Sequence, residues 1–204
     1  THVSNVFGYI LPIASIAAVC RSWGVPLIID ASQSAGSLPI DQRLLQADFI
    51  AMPGHKGLYG PQGTGVLLWG REGLPLLYGG TGSNSRDQAM PDFLPDRMEA
   101  GTHNVPGIAG LLAGVRFVRA MGPAAIRRHG YTLKERLLSA LEGNGSYRVF
   151  GSHDYDKQAA VVSLLPRDGG SEELCQQLSD PGNALRGGYH CAPYAHQTAG
   201  TIET

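Results

Sequence analysis

Three features of the chain predict an α/β fold followed by a small α+β domain. Helix-like and strand-like segments alternate over residues 11–69, the strand-like runs are short and continuously apolar, and a Gly122-Pro123 pair breaks a long helical stretch beyond the middle. Alternation of this kind builds a sheet with helices against it, so residues 1–121 are assigned to part of a large α/β domain. Residues 122–204 form the small C-terminal domain.

The first helix is expected within residues 11–23, where Ile13, Ile16, Ala17 and Cys20 share one face and Gly24 and Pro26 stop the run. Val25 to Ile29 then reads as a parallel strand covered on both faces and ending in Asp30. Asp48 to Met52 and Gly65 to Trp69 read as two further buried strands. Between Leu74 and His103 lies a stretch rich in Gly, Ser, Asn and Pro with little periodicity, too long for a routine connection and therefore expected at a functional site or an interface. Val105 to Met121 and Ala124 to Leu141 read as two helices separated by the Gly-Pro break. Strands are expected at Tyr147 to Gly151 and Ala159 to Leu165, and a helix at Ser171 to Leu178 with Ser171 as its N-cap.

The formal net charge of -1 gives no basic face for nucleic acid or an anionic membrane, and no apolar run approaches the ~18 residues that span a bilayer. Small molecules are the expected partners and the cytoplasm the expected location. Cys20, Cys175 and Cys191 are odd in number, widely spaced and without a C-x-x-C pair, which argues for reduced thiols. The chain opens on Thr1 without methionine and stops at Thr204 just after a motif-like stretch, so it reads as a piece of something longer.

Three constellations carry the chemistry. Asp30-Ala31-Ser32-Gln33 directly follows an apolar strand, and ligands of open α/β sheets gather at the carboxyl ends of strands. The plain alternative is that Asp30 caps the next helix. Pro53-Gly54-His55-Lys56-Gly57 follows the next strand. Its glycines allow close backbone approach, and its lysine is the residue type that condenses with an aldehyde. A nucleotide loop is excluded there, because a P-loop lysine follows glycine and precedes Ser or Thr, whereas Lys56 stands between His55 and Gly57. Taken alone, this segment reads equally well as a glycine-rich connection carrying a solvated lysine. The third constellation is Arg186-Gly187-Gly188-Tyr189-His190-Cys191-Ala192-Pro193 with His196 beyond it, where a cation and an imidazole near a thiol favour the nucleophilic thiolate. His190, Cys191 and His196 match no common zinc spacing, so no metal is expected, and Cys20 and Cys175 are assigned to packing.

Taken in order, the Asp30 and Gln33 segment, the Gly54-His55-Lys56 segment, Glu99-Ala100-Gly101-Thr102 and the Arg-x-Gly-x-x-Cys segment resemble the class V aminotransferases. Among these the closest likeness is to the C-terminal half of the cysteine desulfurases. The likeness runs from Thr1-His2-Val3-Ser4-Asn5 to the end of the chain. It implies fold type I, pyridoxal 5'-phosphate as cofactor, a homodimer, L-cysteine as substrate and an accepting protein for the sulfur. Lys56 would hold the cofactor covalently, Asp30 would face the pyridinium nitrogen, Gln33 the ring hydroxyl and His55 the phosphate. Thr102 would reach the phosphate in the partner subunit, Asn5 would lie beside ring and substrate, and Arg186 would grip the substrate carboxylate. Cys191 would take the sulfur as a persulfide, leaving alanine.

Pro53 stands where many relatives carry a hydroxyl residue, a departure that puts one of the phosphate contacts implied by the resemblance in doubt. The family's stacking ring and N-terminal phosphate turn belong upstream of Thr1, and a second substrate arginine belongs beyond Thr204, so this stretch alone is expected to be inactive. The rival readings are another class V activity, such as an aminotransferase or selenocysteine lyase, and a non-catalytic remnant of the fold.

Overall fold

In a computed structural model that describes residues 1–202, the chain folds as two compact units. One comprises Ile13–Pro123; the other comprises Thr1–Pro12 together with the described residues from Ala124 onward. The division falls between Pro123 and Ala124, and the opening twelve residues belong to the same unit as the C-terminal part.

The unit Ile13–Pro123 begins with α1 (Ile13–Ser22), followed by β1 (Ile28–Asp30), the short α2 (Gln42–Leu45), β2 (Phe49–Pro53), β3 (Gly65–Trp69) and α3 (Val105–Met121). β2 is the central strand, parallel to β1 with Asp30 beside Ala51, and antiparallel to β3 with Pro53 beside Gly65. Asp48 sets the parallel register, its Oδ2 accepting the Leu27 amide at 2.7 Å. Side chains alternate across the sheet. Ile29 and Ile50 point into a core with Ala31 and Ala47, and Met52 and Val66 pack toward Ala35, Leu58 and Leu111 of α3.

The opposite face is open at Ile28, Ala51 and Leu67. Ile28 is 67% exposed, and Leu67 and Trp69 lie in solvent as well, so the expectation of strands buried on both sides is corrected. An apolar run declares that a strand has something to bury, but not which segment covers it. Here the helices pack on one side, and on the other the irregular segment with Leu94 and Met98 reaches only the Phe49 and Trp69 end.

The long stretch from Leu74 to His103 carries a single 3-10 turn, Asp96–Met98, among the described residues. Asn104 then caps α3, its Oδ1 accepting the Gly107 amide at 3.0 Å, with Pro106 in the first turn.

The second unit holds α4 (Pro123–Leu141), β4 (Tyr147–Phe150), β5 (Ser163–Pro166), α5 (Ser171–Ser179) and α6 (Pro193–Ala199). β4 and β5 pair antiparallel. β5 starts later than its apolar sequence suggests, because Gln158 and Ala159 pair with the opening segment: Ala159 donates to the Gly8 carbonyl at 2.8 Å, and Gln158 Nε2 to the Phe7 carbonyl at 2.7 Å. Residues Val3 to Ile10 form a tight reverse loop in which Ser4 Oγ accepts the Phe7 amide, and Phe7 packs on Phe150 with ring centroids 4.9 Å apart. Ser171 does not cap α5. Gly170 holds the extended cap position without a side-chain bond, and Ser171 already has helical backbone. Helix α6, absent from the sequence expectation, begins with Pro193 at its first position and ends at Gly200 in the left-handed conformation.

Candidate active site

The sheet-bearing unit presents its chemistry at the carboxyl ends of β1 and β2. Asp30 is the last residue of β1 and is exposed. It caps no helix. Its Oδ1 accepts the Ser32 amide at 2.9 Å, the chain runs on through turns to Ser37, and α2 is capped instead by Asp41, which accepts from the Arg43 and Leu44 amides. Gln33 lies half-buried within those turns. Directly after β2, His55 and Lys56 project into solvent from a turn closed by bonds from the Tyr59 amide to the Lys56 carbonyl (3.0 Å) and from the Gly60 amide to the Gly54 carbonyl (2.7 Å).

The two turns meet backbone to backbone. A Cβ on Gly36 (φ 85°) would lie 2.0 Å from the Gly57 carbonyl oxygen, and one on Gly57 would lie 2.2 Å from that of Ala35. Only glycine permits this approach. The Asp30–Gln33 turn is thereby seated against the His55–Lys56 turn.

Of the three lysines, Lys56 alone has an amine that meets no described residue in an ion pair or hydrogen bond. Lys134 is buried, its Nζ donating to the Ser152 carbonyl at 2.5 Å and lying 3.1 Å from Glu135, while Lys157 pairs with Asp154 at 3.3 Å. An exposed amine, a strand-ending carboxylate and an imidazole are a donor set that suits an anionic aldehyde cofactor with a basic ring nitrogen. Beside them an open groove of about 480 Å³ runs over the uncovered sheet face, past Ser32, Ala51, Pro53, Leu67 and Glu99. Thr102 is exposed at the end of the long irregular stretch, two residues before the cap of α3.

The other unit brings Asn5 to the cysteine segment. Asn5 Nδ2 donates to the His190 carbonyl at 2.8 Å across 185 residues of sequence. His190 and Cys191 are consecutive left-handed residues (φ 52° and 59°), conformations that side chains bearing a Cβ adopt only when held. Cys191 is exposed, and Arg186 is exposed five residues earlier. Burial, then the charges of Arg186 and His196, holds the His190 imidazole below the usual histidine range, so it stays neutral at physiological pH.

His196, on α6, lies 6.2 Å ring to ring from His190 and 5.3 Å from Tyr189. Among the described residues no group of three or more His, Cys, Asp or Glu side chains is arranged to hold a metal ion. Cys20 and Cys175, expected in packing, are half-buried. The Asn5 contact and helix α6 escaped the sequence reading. The helix could have been found from Pro193 and Gly200, which bracket it as proline and glycine bracket helices generally.

The aminotransferase class-V family matches residues 1–202. A probable cysteine desulfurase of Xylella fastidiosa is 38% identical over all of this chain and 50% of its own length. One of Methanothermobacter thermautotrophicus is 31% identical over 99% of this chain and 53% of its own. The chain thus spans about half the length of the curated relatives it matches. Among solved structures, a cysteine desulfurase from Thermococcus onnurineus in its apo form superposes with a TM-score of 0.87 at 32% identity, covering 98% of this chain and 51% of the other. One from Escherichia coli in an S-sulfonic acid form gives 0.88 at 28% identity, with the same coverage. With these matches over nearly every residue, the chain has the fold of type I pyridoxal-phosphate enzymes and belongs to the class V aminotransferase family.

Proposed function

We propose that the whole protein is a pyridoxal 5'-phosphate-dependent cysteine desulfurase. The observation that carries this reading is the seating of an exposed, unpaired Lys56 turn directly against the turn that follows Asp30. It is reinforced by an exposed Cys191 in a left-handed turn. Residues 1–121 then serve as the cofactor-binding part and residues 122–204 as the small domain. When bound, pyridoxal phosphate supplies an electron sink for the bonds that change at the substrate.

The chain's own residues do the rest. Lys56 would hold the cofactor through its amine and carry protons during the reaction. Asp30 keeps the ring nitrogen protonated, Gln33 bonds the ring hydroxyl, and His55 binds the phosphate. Thr102 does so for the partner subunit of a homodimer. Asn5 lies beside the ring and substrate, and Arg186 grips the carboxylate of L-cysteine as a two-pronged donor. The Cys191 thiolate takes the substrate sulfur: the carbon–sulfur bond breaks, a sulfur–sulfur bond forms on the enzyme, and the freed carbon gains a proton to give alanine. The persulfide is then passed to an acceptor protein, in the cytoplasm. The names of the relatives and the S-sulfonic acid form of the Escherichia coli enzyme support this choice within the family.

Two variants of the whole protein test it. Lys56→Ala is expected to carry no covalently attached cofactor after borohydride reduction, whereas wild type carries it at Lys56. Attachment in the variant would overturn the assignment. Cys191→Ser is expected to keep the cofactor spectrum and still bind cysteine while losing persulfide formation. Release of sulfide at the wild-type rate would favour a general class V transaminase instead.

A further inference from the structure

We propose that His196 is a positioning residue for Cys191, holding the cysteine turn in place through its tilted and edge-on ring contacts and through Thr201. The inference rests on the desulfurase reading and adds to it a residue with no assigned role.

Cys191 is the second of two adjacent left-handed residues, and Gly188 just before them is left-handed too (φ 91°). Left alone, a turn with Cβ-bearing residues in this region relaxes. Helix α6 follows at once, but its cap residue, Ala192, has no side chain with which to fix the entry. The turn must therefore be held from outside. Asn5 holds the His190 carbonyl. His196 supplies the second hold: its ring sits among Phe7 (6.0 Å), Tyr189 (5.3 Å) and His190 (6.2 Å), the last two being the residues that lead into Cys191.

The far side of that ring is tied down. His196 Nδ1 lies 2.9 Å from Thr201 Oγ1, the Thr201 amide donates to the His196 carbonyl at 2.9 Å, and the Tyr189 hydroxyl donates to the Ile202 carbonyl. The residues before Cys191 and the residues after α6 are thereby joined twice, directly by the Tyr189 hydroxyl and through the His196 imidazole. Packing alone does not call for a histidine here. Nε2 is buried without a hydrogen-bond partner, a cost that a phenylalanine filling the same space avoids. The charge of His196 also acts on His190, next to the reacting thiol.

The test uses the whole protein with His196→Phe, which keeps the ring and loses the link to Thr201, with Thr201→Val, which removes the link from its other end, and with Thr201→Ser, which keeps it. The first two are expected to slow persulfide formation about tenfold at saturating cysteine, as misplacement of a reacting group does, with KM and the cofactor spectrum unchanged. Thr201→Ser restores the rate.

Amide exchange across residues 188–192, measured without substrate, is expected to quicken in the two link-breaking variants and not in Thr201→Ser. If wild type forms no persulfide, the desulfurase reading fails, and the exchange data alone decide whether His196 holds the turn. If wild type forms it and the link-breaking variants match wild type in both rate and exchange, the positioning role is wrong.

Discussion

His2 shows how one residue of the reverse loop ties stability to pH. It is 5% exposed, its Nδ1 is buried without a hydrogen-bond partner, and burial holds its pKa below the ordinary 6.5. A histidine of this kind is neutral in the folded chain and takes up a proton more readily once unfolded. Its contribution is therefore complete above about pH 6.5 and is lost as the pH falls from there toward the lowered folded value. Urea midpoints are expected to drop between pH values of about 7.5 and about 5.5, and His2→Leu to flatten that slope. It flattens rather than vanishes, because His190 is depressed in the same direction by its own burial and by Arg186 and His196. A slope unchanged in His2→Leu would show that this imidazole titrates alike in both states. Lys134 illustrates the opposite solution: an amine buried with a carbonyl, a carboxylate and the Tyr131 ring (4.4 Å) around it, and so withheld from chemistry.

Among the elements, the contact between the turns after β1 and β2 carries the most consequence, because it assembles side chains that the sequence keeps more than twenty positions apart. Gly36→Ala combines a left-handed φ of 85° with a methyl 2.0 Å from the Gly57 carbonyl oxygen. The loss expected in urea unfolding is about 2 kcal/mol or more. Gly63→Ala is the control: its φ is 74° but nothing lies within 4 Å, so only the backbone strain of about 1 kcal/mol remains. Equal losses at the two positions would mean that the turns separate without cost.

The same contrast shows what the sequence discloses. β3 and α3 were legible to the residue, since Gly65 opens a continuous apolar run and the Gly122-Pro123 pair closes a largely apolar one. The positions of Asp30 and of the His55-Lys56 turn at strand ends were legible because an apolar run ending in a polar turn is a local signal. The open face of β1 and β3, the diversion of Ala159 to Gly8, and the Asn5 bond to His190 were not, because each is decided by a distant partner that leaves no trace in local periodicity. Ser171 misled as a cap because Gly170 satisfies the same extended position one residue earlier.

For the molecule as a whole, the uncovered sheet face sets the scale of the last expectation. Ile28, Leu67 and Trp69 stand in solvent, and the groove beside Ser32 and Ala51 is open rather than enclosed. The resemblance assigns the ring-stacking side chain and part of the phosphate site to sequence outside this chain, and the chain spans half the length of its relatives. A cofactor held only by Asp30, Gln33, His55 and Lys56 lacks a ring on one of its faces and several phosphate donors. Three such contacts at about 1 kcal/mol each weaken binding by roughly a hundredfold. The polypeptide of residues 1–204 alone is therefore expected to bind pyridoxal phosphate more weakly than micromolar in an absorbance titration, while the whole protein binds it tightly. Micromolar binding by this polypeptide would mean that the site is complete within it, and that the groove over the open sheet face, rather than sequence elsewhere, supplies the missing contacts.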